Sequence, residues 1–130
     1  NTFIFIDEIY LLFQHEYSAN FLFTLWKRVR KYGAYCTGIT QNVDDLLQSH
    51  TARTMLANSE FLIMLNQAST DRIELAKLLN ISDLQLSYIT NVDAGHGLIK
   101  VGSSLVPFAN KFPKNTKLYK LMTTKPGEGV

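Results

Sequence analysis

The sequence predicts an α/β fold in which a mostly parallel sheet is flanked by helices. Two observations support this prediction. Short apolar runs of strand length alternate with segments of helical periodicity, and the first run, residues 3–6, has no polar position on either face. Continuous apolar strands are typical of parallel sheets, which are covered on both faces. At 130 residues, the chain is expected to form one globular domain at most.

The first half of the chain is predicted to contain three strands and two well-marked helices. A helix capped by Ser18 is expected to run to about Tyr32, because apolar residues recur at helical spacing and Gly33 ends the pattern. A shorter helix is expected over residues 51–58. The strands are expected at residues 3–6, 34–40 and 61–65.

Small polar residues mark the starts of three more helices. Asn42 or Asp44 can cap a short helix after the second strand, and Ser69 or Thr70 can cap a longer one after the third. Ser82 is expected to cap another helix directly after that. The last two helices therefore form a helical pair.

A hairpin and a basic segment complete the chain. Residues 96–101 and 104–109 flank a Gly-Ser pair, which predicts two strands joined by a tight turn. Residues 111–130 contain five lysines against one glutamate, so this tail carries +4 and the other 110 residues carry −2. We expect a domain over residues 1–110 and a poorly ordered lysine-rich tail after it.

Composition narrows the class of protein. Hydrophobic residues make up 46% of the chain and charged residues only 18%, which suggests that part of the surface faces more protein. A strand begins almost at Asn1, so we expect a piece of a longer chain. No apolar run could span a bilayer and no signal peptide is recognisable, which favours a soluble intracellular protein. One cysteine and three distant histidines predict no structural metal site.

Two carboxylates follow the first predicted strand. Asp7 and Glu8 stand at the carboxyl end of an apolar strand, where α/β proteins bind their ligands. In a Walker B element, the first acid supports the magnesium ion of a nucleotide and the second activates the attacking water. Alternatively, the two acids only cap the next helix, since such a strand has the same pattern.

Two further candidates accompany the second strand. Gln41 closes that strand, where its amide could contact a γ-phosphate, or could merely cap the next helix together with Asn42. Arg30 lies in the last turn of the preceding helix. A guanidinium suits the charge on a transferring phosphoryl group, but a cation at this position also stabilises the helix dipole. Arg30 belongs to a dense basic cluster of Lys27, Arg28, Arg30 and Lys31.

Three segments, in this order, resemble a known family. Phe-Ile-Phe-Ile-Asp-Glu at 3–8, Arg-Lys-Tyr-Gly at 30–33 and Thr-Gln-Asn at 40–42 are similar to the carboxyl-terminal half of the motor domain of VirB-four/TraC-like ATPases. These ATPases are conjugation and type IV secretion motors of the FtsK/HerA group of P-loop ATPases. The likeness extends to Gly-Leu-Ile-Lys-Val-Gly at 97–102 and Val-Pro-Phe at 106–108.

The resemblance implies a partial RecA-like P-loop ATPase core and a role for each candidate residue. Asp7 corresponds to the magnesium-associated acid, Glu8 to the catalytic acid, Gln41 to the γ-phosphate sensor, and Arg30 to an arginine presented to a neighbouring subunit. The parent protein would use ATP and Mg²⁺ and would form a homo-oligomer. Its partners would be the rest of its own ATPase domain and other secretion-channel components, in the cytoplasm at the inner face of the membrane.

The sequence departs from the family pattern at one essential motif. A P-loop requires G-x-x-x-x-G-K-[ST], and none of the seven glycines in this sequence is followed by lysine. We therefore expect these 130 residues to supply only the Walker B part of an ATPase site. By themselves they should hold no cofactor and show no activity.

The predicted helical pair suggests a second functional class. Residues 72–86 have the spacing of a helix-turn-helix, which would make the chain a non-enzymatic DNA-binding or adaptor module. However, residues 82–90 contain no lysine or arginine, and Asp83 would be repelled by phosphate. Packing of both helices on the domain is the favoured interpretation. The lysine tail could contact nucleic acid, an anionic membrane or an acidic partner, or could remain solvated.

Overall fold

The chain forms two sheets and six α-helices within residues 1–41 and 43–129, which the computed structural model describes. The strands are β1 (Thr2–Ile6), β2 (Ala34–Gly38), β3 (Phe61–Met64), β4 (His96–Val101) and β5 (Ser104–Ala109). The helices are α1 (Glu16–Arg28), α2 (Val43–Gln48), α3 (His50–Ala57), α4 (Ser69–Leu79), α5 (Asp83–Leu86) and α6 (Lys117–Met122). Short 3₁₀ helices cover Ile9–Phe13, Val29–Tyr32 and Ser87–Ile89. The predicted α/β fold class is confirmed.

The two sheets differ in strand direction. β1 and β2 are parallel, with Thr2 opposite Ala34 and Ile6 opposite Gly38. β3, β4 and β5 form an antiparallel sheet in that order, so β3 extends the hairpin instead of the parallel pair. The hairpin has the predicted boundaries. Because β1 and β2 are parallel neighbours, the segments that follow them emerge at one edge of the sheet.

One helix start matches its predicted cap and others do not. Ser82 caps α5 through a capping box with Gln85, as expected. Ser18 lies inside α1, and its hydroxyl donates to the carbonyl of His15 at 3.0 Å, so its prediction as a cap was wrong. A 3₁₀ helix before α1 moves the helix start to Glu16. Ser49, which the pattern did not single out, caps α3 by accepting from the amide of Ala52.

The remaining cap predictions also need correction. α4 begins after Ala68, so neither Ser69 nor Thr70 is its N-cap. Asp44 lies in the first turn of α2, where a carboxylate still stabilises the positive end of the helix dipole. Asn42, the other candidate for that cap, lies outside the described residues.

Two main clusters of buried side chains hold the elements together. The first joins the 3₁₀ helix after β1 to α1, α2 and α3, and comprises Ile9, Phe13, Ala19, Leu22, Leu46, Ala52 and Met55. The second joins the helical pair to the antiparallel sheet and comprises Met64, Ile81, Ile89 and Leu98. The helical pair therefore packs on the domain. α5 has only four residues, too short for a recognition helix, so the DNA-binding interpretation loses its structural basis.

One face of each sheet remains exposed. β1 was expected to be buried on both faces, but Phe3 and Phe5 are 63% and 67% exposed. On the opposite face Ile4 and Ile6 are half-buried, because the helices of this chain cover only that side. Phe61 and Ile63 of β3 are similarly exposed while Met64 is buried. Exposed aromatic and aliphatic side chains grouped on one face of a sheet are typical of a protein interface.

The lysine-rich tail contains more structure than its composition predicts. Thr116 caps α6 by accepting from the amide of Tyr119. Lys114 pairs with Glu128 at 3.0 Å, and the hydroxyl of Tyr119 donates to the same carboxylate. These contacts join the beginning of the tail segment to its end. Within the part of the chain that the structure describes, no helix combines the length and apolarity needed to cross a bilayer.

Candidate active site at the carboxyl ends of the parallel strands

The three polar residues predicted at the strand ends lie together. Asp7 and Glu8 follow β1, and Gln41 follows β2 three residues beyond its end. The side-chain amide of Gln41 donates from Nε2 to Oε1 of Glu8 at 3.1 Å, although the two residues are 33 positions apart in sequence. The parallel register of β1 and β2 creates this contact, since it brings both carboxyl ends to one edge.

The backbone around Glu8 is held in an uncommon conformation. Glu8 has φ 48° and ψ 44°, in the left-handed region that few residues other than glycine adopt. Its amide donates to Oδ1 of Asp7 at 3.0 Å. On either side, the amide of Ile39 donates to the carbonyl of Ile6, and the amide of Ile9 donates to the carbonyl of Ile39. The turn that carries Glu8 is therefore attached to the end of β2.

A glycine that the sequence pattern did not single out shapes this turn. A Cβ at Gly38 would lie 2.7 Å from Cδ1 of Ile9 and 3.5 Å from the ring of Trp26. Ile9 is buried in the first core cluster, so Gly38 provides the space in which the residue after Glu8 packs. A glycine near a strand end is the available sequence signal, because such a glycine often marks a close approach.

Both carboxylates reach solvent, and within residues 1–41 and 43–129 neither forms an ion pair. Asp7 is exposed and Glu8 is half-buried. The two ion pairs found in the described part of the chain, Lys77–Glu74 and Lys114–Glu128, lie elsewhere. One oxygen of Asp7 accepts the Glu8 amide, which leaves the other available to a ligand.

The donor set fits magnesium bound to a nucleotide better than a metal held by protein alone. Residues 1–41 and 43–129 contain no cluster of three or more His, Cys, Asp or Glu side chains that could form a protein-only metal site. Magnesium bound to nucleotides commonly uses one or two carboxylates, with phosphate oxygens and water completing its coordination. Asp7 can supply such a carboxylate.

Arg30 lies at the other end of the sheet. It is exposed in the 3₁₀ helix Val29–Tyr32, before β2 begins, whereas Gln41 follows the end of β2. At about 3.3 Å per residue, the five residues of β2 alone separate these ends by roughly 16 Å. The structure therefore does not bring Arg30 together with Glu8 and Gln41. In the same basic cluster, Nζ of Lys27 lies 4.1 Å from the centre of the Phe23 ring.

The single cysteine lies near this site but has the character of a packing residue. Cys36 is a half-buried thiol in the middle of β2, opposite Ile4. Burial raises the pKa of this thiol, which keeps it protonated and weakly nucleophilic near neutral pH. The chemistry available at the strand ends is therefore that of two carboxylates and an amide.

Comparisons with known proteins agree with this architecture. The profile of the family described as "TraG P-loop domain" matches residues 1–100. Among solved structures, the chain is similar to VirB4 of Thermoanaerobacter pseudethanolicus, with a TM-score of 0.80 and 26% sequence identity. That match covers 87% of this chain and 31% of the VirB4 chain. A search of curated proteins gives no match.

The resemblance drawn from the sequence motifs is thereby confirmed at the level of the family. The segments that carried it, residues 3–8, 30–33 and 40–42, fall within the matched range. The two carboxylates and Gln41 also lie where α/β proteins bind their ligands. Since the family profile matches residues 1–100 of the 130 residues in this chain, the chain belongs to the TraG P-loop domain family.

Proposed function

We propose that this chain is the Walker B part of an ATP-hydrolysing motor domain that powers conjugative transfer through a type IV secretion machine. The observation that carries the proposal is the hydrogen bond between Gln41 and Glu8, where the ends of β1 and β2 meet. An acidic pair beside a polar residue on the adjacent strand is the arrangement expected for ATP hydrolysis. From the resemblance in its motifs, we assign the motor to the FtsK/HerA group.

In this proposal each residue at the strand ends has a separate task. Asp7 supports the magnesium ion, Glu8 orients and deprotonates the attacking water, and Gln41 contacts the γ-phosphate. Bound Mg-ATP supplies the phosphoryl group and the cation that neutralises its charge. The P-loop that cradles the phosphates belongs to the rest of the parent's ATPase domain, because the motif is absent from these 130 residues.

Arg30 acts on a nucleotide bound by a neighbouring subunit in the same proposal. Arg30 lies before β2 begins, whereas Glu8 and Gln41 lie where β1 and β2 end, and Arg30 is exposed; both observations support a role toward a neighbour. A guanidinium suits this role because its planar donors match the oxygens of a transferring phosphoryl group. The parent is accordingly a homo-oligomer.

The immediate partner of this chain is the remainder of the same ATPase domain. Phe3, Phe5 and Tyr35 form an exposed aromatic face on the parallel sheet, and Phe3 stacks on Tyr35 with ring centres 5.3 Å apart. Further helices or strands of the parent would cover this face, as parallel sheets require. We place the assembled motor in the cytoplasm at the inner face of the membrane, with other channel components as partners.

Replacing the proposed catalytic acid in a parent chain that carries a P-loop tests the function. Glu8→Gln should lower the ATP hydrolysis rate by roughly 10²- to 10⁴-fold, because the general base is lost while the shape of the site is kept. ATP binding, measured by calorimetry, should stay within a factor of about three. Glu16→Gln, an exposed change outside the site, is the matched control. Hydrolysis at the control rate would remove Glu8 from the catalytic role.

A further inference from the structure

Three large apolar side chains of the tail helix α6 are exposed. Leu118, Leu121 and Met122 have 56%, 61% and 73% of their surface accessible. Residues three or four positions apart are neighbours on a helix, so these side chains share one face of α6, the apolar tail face. Tyr119, on another side of the helix, makes the ring contact and the hydrogen bond that fold the tail. The apolar tail face is therefore separate from the contacts that hold the tail together.

Exposed lysines accompany the apolar tail face. Lys114 pairs with Glu128, so the charges of these two residues cancel. The charge of +4 comes from the other four lysines of residues 111–130. A lysine can lay its apolar stem along an apolar surface while its ammonium group stays at the polar boundary. All four of these side chains are exposed: Lys111, Lys117, Lys120 and Lys125.

Apolar side chains beside exposed cations fit the surface of an anionic membrane. Leucine and methionine can enter the boundary between head groups and acyl chains, while lysines attract anionic head groups. Single-stranded nucleic acid fits this surface less well, because its bases stack on aromatic side chains. The two rings of the tail, Phe112 and Tyr119, instead stack on each other with centres 6.4 Å apart. Residues 111–130 also contain no arginine, the cation best suited to phosphate recognition.

We propose that residues 111–130 lie on an anionic lipid membrane, with the apolar tail face entering the interface and the four exposed lysines facing the head groups. The contact is peripheral and reversible, because three side chains bury far less apolar surface than a spanning helix does. The inference goes beyond the proposed function, since it needs neither a nucleotide nor the carboxylates at the strand ends. It also uses no residue of the range 1–100 that the family profile matches.

Flotation of the 130-residue chain with lipid vesicles tests the proposal. We expect binding to vesicles that mix phosphatidylglycerol with phosphatidylcholine, and binding at least about tenfold weaker to phosphatidylcholine alone, because only the first carry negative charge. Added salt should weaken the binding, since it screens the attraction between lysines and head groups. Equal binding to both kinds of vesicle, or binding to neither, would overturn the proposal.

Paired lysine substitutions distinguish the tail from the general attraction of a basic chain. Lys117→Gln with Lys120→Gln should lower the partition coefficient on anionic vesicles by roughly 25-fold, about fivefold for each charge. Lys31→Gln with Lys77→Gln removes the same charge from exposed lysines outside the tail, and it should lower the coefficient by less than about threefold. Losses of equal size in the two variants would contradict a contact made by the tail.

A further variant tests insertion of the apolar tail face at constant charge. Leu121→Ser with Met122→Ser should lower binding to anionic vesicles by at least about tenfold, because less apolar surface enters the interface. Leu121→Met keeps that surface and should bind as the unsubstituted chain does. Amide resonances of Tyr119 and Glu128 report whether the tail stays folded in both. Unchanged binding of the serine variant would show attachment by charge alone, against the proposal.

Two more measurements complete the test. If the serine variant unfolds the tail, the fluorescence of Leu121→Trp is decisive. A shift to shorter wavelength with anionic vesicles, absent from the unsubstituted chain, supports insertion, and no shift excludes it. A single-stranded oligonucleotide is the competing ligand. Oligonucleotide binding that needs Lys117 and Lys120, without vesicle binding, would assign the tail to nucleic acid and overturn the membrane contact. Each of these results leaves the proposed ATPase function unaffected.

Discussion

At the scale of single residues, Glu8 combines backbone strain with a candidate chemical role. A left-handed conformation costs a non-glycine residue roughly 1–2 kcal/mol, and Glu8 adopts it at φ 48°. The cost is offset locally, since Asp7 accepts its amide and the adjacent Ile9 is buried beside Gly38. Uncommon backbone conformations persist where the surroundings determine them, and they concentrate at functional sites.

Gly97 makes the closest backbone approach among the described glycines. An added Cβ would lie 2.3 Å from the carbonyl oxygen of Met64 and 2.8 Å from the Phe108 ring, so the backbone of β3 and the Phe108 side chain would both have to move. We predict that Gly97→Ala lowers the free energy of unfolding by about 3 kcal/mol, as overpacking of a sheet core does. Urea unfolding followed by circular dichroism measures this loss.

Gly102 provides the matched comparison. It has φ 57° in the hairpin turn, and nothing lies within 4 Å of an added Cβ. Gly102→Ala should therefore cost only the backbone strain, about 1 kcal/mol. Equal losses for the two variants would show that the contact with Met64 does not limit residue size at Gly97.

The chemistry of the site could be read from residue types, but its geometry could not. Asp7 and Glu8 after an apolar strand, and Gln41 after the next, were predictable because parallel strands deliver their ends to one edge. The hydrogen bond of Gln41 to Glu8 depends on the register of β1 against β2. That register is a tertiary property, and no local pattern specifies it.

At the scale of elements, the folded tail should depend on pH. The hydrogen bond from Tyr119, followed by that from Lys114, lowers the pKa of Glu128, and the bond to Glu128 raises the pKa of Lys114. Glu128 therefore stabilises the folded tail fully above the ordinary glutamate pKa of 4.5. This stabilisation is lost as the pH falls through the lower pKa that Glu128 has in the folded tail. Lys114 stabilises the folded tail fully below the ordinary lysine pKa of 10.5. This stabilisation is lost as the pH rises through the higher pKa that Lys114 has in the folded tail.

We therefore predict that α6 is most populated between these limits and melts in acid before the rest of the chain does. Amide resonances of Tyr119 and Glu128 recorded against pH provide the measurement. Glu128→Gln should remove the acid transition of this segment while the resonances of β4 stay unchanged. A transition of the same midpoint in that variant would assign the pH response to other groups.

Element boundaries followed the sequence where a local signal was strong. The cap at Ser82 and the tight hairpin turn at Gly102 and Ser103 were both predicted and found, and the structure adds that Gln85 completes a capping box with Ser82. Ser18 was misassigned because the apolar 3₁₀ helix Ile9–Phe13 has no distinctive periodicity. The tail was expected to lack order because a contact from Lys114 to Glu128 spans 14 positions and leaves no short-range pattern.

At the scale of the whole molecule, the separation of Arg30 from Glu8 predicts how an oligomer assembled from two different subunit variants behaves. In an oligomeric parent, Arg30→Ala should lower kcat by roughly 10³-fold, if the guanidinium completes a neighbour's site. Mixing Arg30→Ala subunits with inactive Glu8→Gln subunits should restore part of the activity. Some mixed sites then contain an intact Glu8 from one subunit and an intact Arg30 from the other.

A nearby cation provides the control for that experiment. Lys31→Ala removes a charge from the same exposed basic cluster, and we expect it to retain most activity because lysine lacks the bidentate geometry. Mixtures of Arg30→Ala and Glu8→Gln subunits that gain nothing over either variant alone would place Arg30 outside the shared site. Its charge would then serve to stabilise the end of α1.

The open parallel pair also bears on how the parent reaches its folded state. Within the described residues β1 and β2 have no other strand beside them, and two strands alone are marginally stable in water. Uncovered strand edges are templates on which any extended chain can pair. For as long as Phe3, Phe5 and these edges stay uncovered, β-pairing between nascent copies competes with correct assembly. In the longer chain proposed above, early folding of the segments that cover Phe3 and Phe5 should therefore limit such pairing.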